Sequence, residues 1–170
     1  AGTLSNGVLT LTSNQLAGLT MTSPTNLSGS VELQIAVSVT DNGVDKTLTQ
    51  DLTVGVQADV DTTMTVNNVT TIEDTAVALP ISFNQHGASN ESVQSITISG
   101  FQAGTTFTNT NGDTLTASGT TLTLTSAAQA VGLTMTPPAN YSGSHTVTIT
   151  SVVLDNGTTK TLTDSITLTV

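Results

Sequence analysis

Hydrophobic and polar residues alternate with a period of two along much of the chain. In residues 33–39 every second residue is Leu, Ile or Val, and Gln, Ala and Ser lie between them. Residues 8–12 and 48–56 follow a similar pattern. Such alternation is typical of β-strands with one buried face, and the abundant Thr, Val and Ile suit a pleated surface. No stretch has a helical period, although residues 13–17 and 126–131 could each form one helical turn. The pattern predicts an all-β chain.

The C-terminal part of the chain contains enough strands for a complete domain. Asn42-Gly43 and Asn156-Gly157 each separate two alternating stretches, and Asn-Gly supplies the positive φ angles that tight hairpins require. About seven short strands in roughly 110 residues is the pattern of an immunoglobulin-like β-sandwich. The predicted strands span residues 63–68, 77–83, 93–99, 105–109, 115–125, 146–154 and 160–170.

One segment of the chain occurs twice, 114 positions apart. Residues 16–54 and 130–168 align without a gap and are identical at 20 of 39 positions. This spacing indicates a tandem array of small domains. The predicted domains are the C-terminal half of an immunoglobulin-like repeat (1–56), an acidic linker (57–61) and a full immunoglobulin-like repeat (62–170). We therefore expect the chain to be a piece of a longer protein.

The half-repeat lacks the strands that should cover its sheet. Residues 1–56 could pair with another molecule, which would be self-association if that molecule is a second copy. They could instead compete with residues 117–170 for the single N-terminal half, or fold loosely alone. The first two arrangements are favoured, because an open sheet with unpaired edges tends to pair.

The composition narrows the classes of function. Twelve Asp and Glu residues against two Lys give a net charge of −10. This charge disfavours nucleic acid, whose phosphates are bound by Lys and Arg, and anionic membranes. No stretch is long and apolar enough to predict membrane insertion. Without cysteine, and with three Phe, one Tyr and no Trp, the core should be thin and unsupported by disulfides. Bound calcium, which prefers oxygen ligands, or neighbouring repeats are the expected stabilisers.

Two segments resemble a known family. Residues 58–79 read ADVDTTMTVNNVTTIEDTAVAL, with the triplet Glu73-Asp74-Thr75, and residues 132–144 read GLTMTPPANYSGS. They are similar to the beginning and to a later part of the immunoglobulin-like or cadherin-like repeats of giant RTX-type bacterial adhesins. The resemblance implies an extracellular rod at the bacterial cell surface, with calcium between or within repeats. The partners it implies are neighbouring repeats of the same chain.

The linker carries the first candidate calcium ligands. Asp59 and Asp61 lie two residues apart, so on an extended segment they face the same side and repel each other unless a cation lies between them. If the strands alternate in direction, the loop 84–92 and the hairpin at Asp155 lie at the same end of the domain. Glu91, Asp155 and Asn90, and more weakly Asn84, are then further candidate ligands. The alternative for Asp59 and Asp61 is that they are two solvated acids of the linker.

Glu73 and Asp74 are predicted at the opposite end, where they would serve a following linker. Their alternative role is to cap a turn through a side-chain hydrogen bond to the backbone. The Asp-Asn-Gly triplets at residues 41–43 and 155–157 are more simply explained as turns than as metal sites.

The sequence favours a structural function over catalysis. No nucleophile motif, EF-hand loop or glycine-rich phosphate loop is present, and His86 and His145 are expected to be surface residues. Together with the family resemblance, this leads us to expect no enzyme but a spacer repeat of a cell-surface adhesin, rigidified by calcium at its junctions. Two alternatives remain open at this point. The chain could be a ligand-binding adhesin module, or a split support domain that carries an inserted ligand-binding domain.

Overall fold

The computed structural model describes residues 2–86 and 90–170 and is all-β, as predicted. Its helical segments within that part are two single 3-10 turns, Ser13–Gln15 and Ala127–Ala130. No helix in the described ranges is long and apolar enough to cross a membrane. The strands are β1 (Thr3–Ser5), β2 (Val8–Thr10), β3 (Gly29–Asp41), β4 (Val44–Val56), β5 (Thr63–Thr65), β6 (Val69–Thr70), β7 (Val77–Ala78), β8 (Ser82–Asn84), β9 (Glu91–Ser99), β10 (Thr106–Thr108), β11 (Thr121–Leu124), β12 (Thr134–Thr136), β13 (Ser144–Asp155) and β14 (Thr158–Thr169).

Strands β5 to β14 form an immunoglobulin-like β-sandwich. The larger sheet has the order β11-β9-β13-β14-β6, and its neighbours are antiparallel except for the parallel pair β14 and β6. The second sheet has the antiparallel order β10-β12-β7, and β5 pairs with β8. Side chains from the two sheets meet in one hydrophobic core.

The core is aliphatic, as the composition predicts, with a single aromatic contact. Phe101 and Phe107 meet edge to face, with ring centroids 4.8 Å apart, an arrangement that aromatic quadrupoles favour. Around them the alternating residues of β9 and β13 point inward, so the period-two pattern corresponds to real burial. The buried cluster comprises Leu79, Ile96, Ile98, Phe101, Phe107, Leu122, Leu124, Ala130, Leu133, Met135, Val147, Ile149, Ile166 and Leu168.

The hairpins at the two Asn-Gly sequences have the predicted geometry. Asn42 and Gly43 have φ angles of 49° and 81°, and Asn156 and Gly157 have 41° and 88°. Two consecutive positive φ angles twist the chain in the sense that antiparallel strands require. Each turn therefore joins two long strands, β3 to β4 and β13 to β14, in continuous antiparallel register.

Two predicted strands are interrupted, and one residue explains each break. The strand predicted at 77–83 is two short strands, because Pro80 has no N–H to donate and Ile81 N–H turns back to the Leu79 carbonyl at 2.9 Å. The strand predicted at 115–125 is reduced to β11. Gly119, with φ of 63°, forms a turn bridged by Ser118 and Thr121. The strand predicted at 63–68 ends at Thr65.

Residues 2–56 form two separate hairpins, β1–β2 and β3–β4. Neither hairpin packs against the strands of the sandwich in the described part of the chain. The exchange in which residues 1–56 replace residues 117–170 is not adopted, because β13 pairs with β9. Most apolar residues of the hairpin β3–β4 therefore stay exposed, and none of them is buried.

Equivalent isoleucines of the two copies give a stability test. Ile149 is 1% exposed and Ile35, its counterpart 114 residues earlier, is 45% exposed. Ile149→Ala should lower the free energy of unfolding of the sandwich by about 2–5 kcal/mol, because it leaves a cavity. Ile35→Ala should change it by less than about 0.5 kcal/mol. Urea denaturation followed by far-UV circular dichroism measures both, and equal losses would contradict the burial difference.

Candidate functional site at the junction of the two copies

The linker is bound to the sandwich by one buried carboxylate. Glu91, the first residue of β9, is 4% exposed. Its Oε1 accepts the main-chain N–H of Asp61 at 2.8 Å, and its Oε2 accepts the main-chain N–H of Thr62 at 3.0 Å. The Thr62 hydroxyl also donates to Oε2. A carboxylate that accepts several donors is held firmly in its ionised form, so Glu91 fixes the last residues of the linker.

The environment of Glu91 lowers the pKa of its carboxyl group below the ordinary value of 4.5. Burial on its own raises the pKa, because the charged form loses hydration. The hydrogen bonds from the Thr62 hydroxyl and from the two main-chain N–H groups together outweigh burial. Glu91 is therefore ionised at neutral pH in the folded chain.

Asp155 lies directly opposite Glu91 across the β9–β13 pair. It is as buried as Glu91, and the Asn90 side-chain amide donates to its Oδ1. The same amide makes a longer bond of 3.4 Å to the hydroxyl of Ser28 in the first copy. Two carboxylates in adjacent strands thus sit at the end of the sandwich that meets the half-repeat.

Lys160 provides the positive charge at this end. Its Nζ donates to the main-chain carbonyl of Val60 at 2.8 Å, and Val60 is itself buried. The linker between Val60 and Thr62 is therefore held by a lysine from β14 and a glutamate from β9. Lys160 is exposed, so it offsets only part of the negative charge of the buried acids.

Asp61 is the member of the cluster with a carboxylate oxygen that lacks a hydrogen-bond partner. Its Oδ1 is buried and accepts no hydrogen bond, which is costly for a polar atom away from water. Asp59 is exposed. Across residues 2–86 and 90–170, no three His, Asp or Glu side chains are gathered closely enough to hold a metal ion. Main-chain carbonyls and amide oxygens are also calcium ligands, and the orphaned Asp61 oxygen is a fitting donor for a cation.

Glu73 and Asp74 lie at the other end of the sandwich, as predicted. They follow β6, which runs beside the C-terminal end of β14, whereas Asp155 precedes the start of β14. Both are exposed. Asp74 has a φ of 59°, and Thr75 N–H bonds to the Ile72 carbonyl at 3.3 Å. This is a turn, but its side-chain hydrogen bonds come from the hydroxyls of Thr71 and Thr75. In the described part of the chain neither acid side chain makes the predicted capping bond to the backbone.

The remaining predicted residues serve turns and packing. Asn84 Oδ1 accepts the N–H of His86 at 3.0 Å, and His86 bonds to Thr63 at 3.2 Å. His145 is half-buried rather than a surface residue, and it stacks on Tyr141 with ring centroids 5.1 Å apart. Residues 87–89 of the loop 84–92 lie outside the described residues.

The sequence did not point to Thr62 or Lys160. Thr62 is one of many threonines, and only its position next to Asp61 could have marked it as a partner of Glu91. Lys160 contacts a residue 100 positions away, so its role depends on the fold.

No protein-family model matches the chain, and no curated protein does. The functional assignment therefore rests on the residues and their geometry.

Replacing Glu91 should weaken the junction and remove part of its pH dependence. Because the pKa of Glu91 is below 4.5 in the folded chain, its ionised carboxylate stabilises the fold at pH values above its pKa in the unfolded chain. That stability is lost as pH falls through the folded-state pKa. Glu91→Gln should lower the free energy of unfolding at pH 7 by about 1–3 kcal/mol, since it removes a charged acceptor of several bonds. Denaturation curves at pH values between about 3 and 7 measure both effects.

Glu73→Gln is the matched control, because Glu73 is an exposed acid at the opposite end. It should shift the free energy of unfolding by less than about 0.5 kcal/mol. A Glu91→Gln variant that loses stability on acidification as steeply as the unmodified chain would show that Glu91 does not anchor the linker.

Proposed function

We propose that this chain is part of a structural spacer in a large bacterial cell-surface adhesin, built from tandem immunoglobulin-like repeats. Its function in this proposal is to set length and direction, so that a binding region is carried away from the cell. Neighbouring repeats of the same chain are its partners. The duplication at a spacing of 114 residues and the sandwich architecture of the second copy support this proposal.

The observation that carries the proposal is the fixation of the linker on the sandwich. A spacer needs joints that keep their angle, and a flexible linker would let successive domains rotate freely. Here the linker main chain is bonded to Glu91 at 2.8 and 3.0 Å and to Lys160 at 2.8 Å. Residues 60–62 are therefore held on both sides, and this end of the linker has little freedom left.

Calcium is the proposed stabiliser of this joint. Asp61 would offer its orphaned carboxylate oxygen to the ion, and main-chain carbonyl and amide oxygens would be its further ligands. Asp59, Glu91 and Asp155 would supply the surrounding negative charge. Bound calcium would supply positive charge where the junction concentrates carboxylates, and it would satisfy the orphaned Asp61 Oδ1. Extracellular modules commonly bind calcium in the range of about 0.1–1 mM, which suits a protein exposed outside the cell.

The proposed location is extracellular, at the bacterial cell surface. A chain without cysteine cannot use disulfides, the usual stabiliser of small secreted domains. Binding of an ion to the folded state alone stabilises it by mass action. Glu73 and Asp74, at the other end of the sandwich, would serve as calcium ligands at the next junction along the chain.

Calcium should raise the thermal stability of the chain. At about 10 mM free calcium the gain should be roughly 1–3 kcal/mol, which corresponds to a rise in Tm of several degrees. Excess chelator should reverse the rise. Asp61→Asn should remove at least half of the calcium-dependent gain, because it deletes one charge next to the ion. Differential scanning calorimetry with and without calcium measures this gain.

Asp51→Asn makes the same charge change on the exposed surface of β4 and should leave the calcium response intact. Small-angle scattering tests the mechanical part of the proposal, since stiffening should narrow the distribution of distances between the two copies. Identical melting and scattering curves in calcium and in chelator would contradict the calcium-stiffened spacer.

A further inference from the structure

The hairpin β3–β4 has one mainly apolar face, which also carries Lys46 and Gln50, and one polar face. Directly opposite pairs on the apolar face include Leu33 with Leu52 and Val37 with Leu48, whereas the other face pairs Gln34 with Asp51. The hairpin β13–β14 has the same register after a shift of 114 residues. Its corresponding face includes Val147, Ile149, Val153 and Ile166, all of which are buried in the sandwich core. The first copy also has aliphatic residues at these four positions, but only those of the second copy are buried.

An identical pentapeptide shows the same difference. GLTMT occurs at residues 18–22 and 132–136. Leu133 and Met135 are 1% and 0% exposed, whereas Leu19 and Met21 are 51% and 53% exposed. In the second copy this segment contains β12, which pairs with β7 and β10, and in the first copy residues 19–21 belong to no strand. Since the local sequence is the same, the missing factor is the partner strands.

The edges of the hairpin are open as well. In the second copy β13 is flanked by β9, and β14 is flanked by β6. Among the described strands, β3 and β4 pair only with each other. An unpaired strand edge above an exposed apolar face is a template for adding a strand.

We infer that residues 2–56 form a docking surface for an extended polypeptide segment with the strand pattern of residues 62–116. In the second copy these residues supply the flanking strands β6 and β9, the second-sheet strands β7 and β10, and the covering side chains of Leu79, Ile98 and Phe101. The occupant is therefore a polypeptide that contains the N-terminal half of a repeat. Its strands must not already be paired with a C-terminal half of their own. Both sides are acidic, with four acids in each range and one lysine, Lys46, in the first. Apolar contacts and main-chain hydrogen bonds drive the association.

A second copy of the intact chain does not meet this need. Its own residues 62–116 are already paired with β13 and β14, so exchanging partners would only uncover another hairpin. Two β3–β4 hairpins placed face to face would cover their apolar side chains but leave the edges of β3 unpaired. The free half-repeat segment satisfies both the face and the edges.

The test uses the full chain and a synthetic polypeptide of residues 57–116 as the probe. Titration calorimetry should give a Kd below about 100 μM. Ile35→Asp in the full chain should weaken binding at least about tenfold, because it buries a charge in the contact. Ala36→Asp, on the opposite face of the same strand, should change Kd by less than about threefold. Both positions are exposed in the unbound chain, so neither variant should unfold it.

Cysteine pairs test the register, because the chain contains no cysteine. Thr97 lies opposite Thr150 in the β9–β13 pair, and Ala36 is the counterpart of Thr150 in the first copy. A Thr97→Cys probe should therefore form a disulfide with an Ala36→Cys chain under mild oxidation. It should not do so with a Thr150→Cys chain, whose partner strand is already in place.

Three results would overturn the inference. The first is no binding of the probe at about 100 μM. The second is evidence that the probe enters the sandwich instead. That evidence would be binding that Ile35→Asp leaves unchanged, or a disulfide that forms at residue 150 instead of residue 36. The third is a chain that dimerises through this face without the probe and becomes monomeric with Ile35→Asp, which would make a second copy the occupant.

Discussion

The pairing of β9 with β13 is the interaction on which the rest of the structure depends. β9 also pairs with β11, so it joins β11 to the β13–β14 hairpin in the larger sheet. Its inward residues Ile96 and Ile98 are fully buried, and its first residue, Glu91, holds the linker. A single strand therefore connects the core of the sandwich with its junction. Anything that displaces β9 should affect packing and linker geometry together.

The same dependence explains why two similar sequences have different structures. Hairpin formation needs only local information, namely an Asn-Gly turn and alternating side chains, and both copies form their long hairpins. Burial of the apolar face needs strands from a distant part of the chain, and only the second copy has them in place. The identical GLTMT segments show that the same local sequence forms a strand only where strands from a distant part of the chain are present. One belongs to no strand, and the other contains the central strand of its sheet.

The sequence therefore predicted the sandwich and its hairpins better than the details of its junction. Alternation identified β9, β13 and β14, and strand direction correctly placed Glu91 and Asp155 at one end and Glu73 at the other. It did not identify the break at Pro80, although a proline without an N–H donor is a local signal that could have been used. The contacts of Thr62 and Lys160 could not be predicted from the sequence. A hydrogen bond between residues 100 positions apart can be identified only once the fold is known.

The geometry of the junction also changes what a metal would need to do there. Hydrogen bonds to Glu91 and Lys160 already hold residues 60–62, so a cation would add stiffness to a joint that is partly shaped without it. What the joint lacks is compensation for acids that lie close together, since Lys160 is exposed and Asp61 has an orphaned oxygen. In the proposed spacer, calcium would act mainly by reducing this repulsion, which strengthens as water is excluded. A preformed joint stabilised in this way loses less conformational entropy on binding the ion than a disordered linker would.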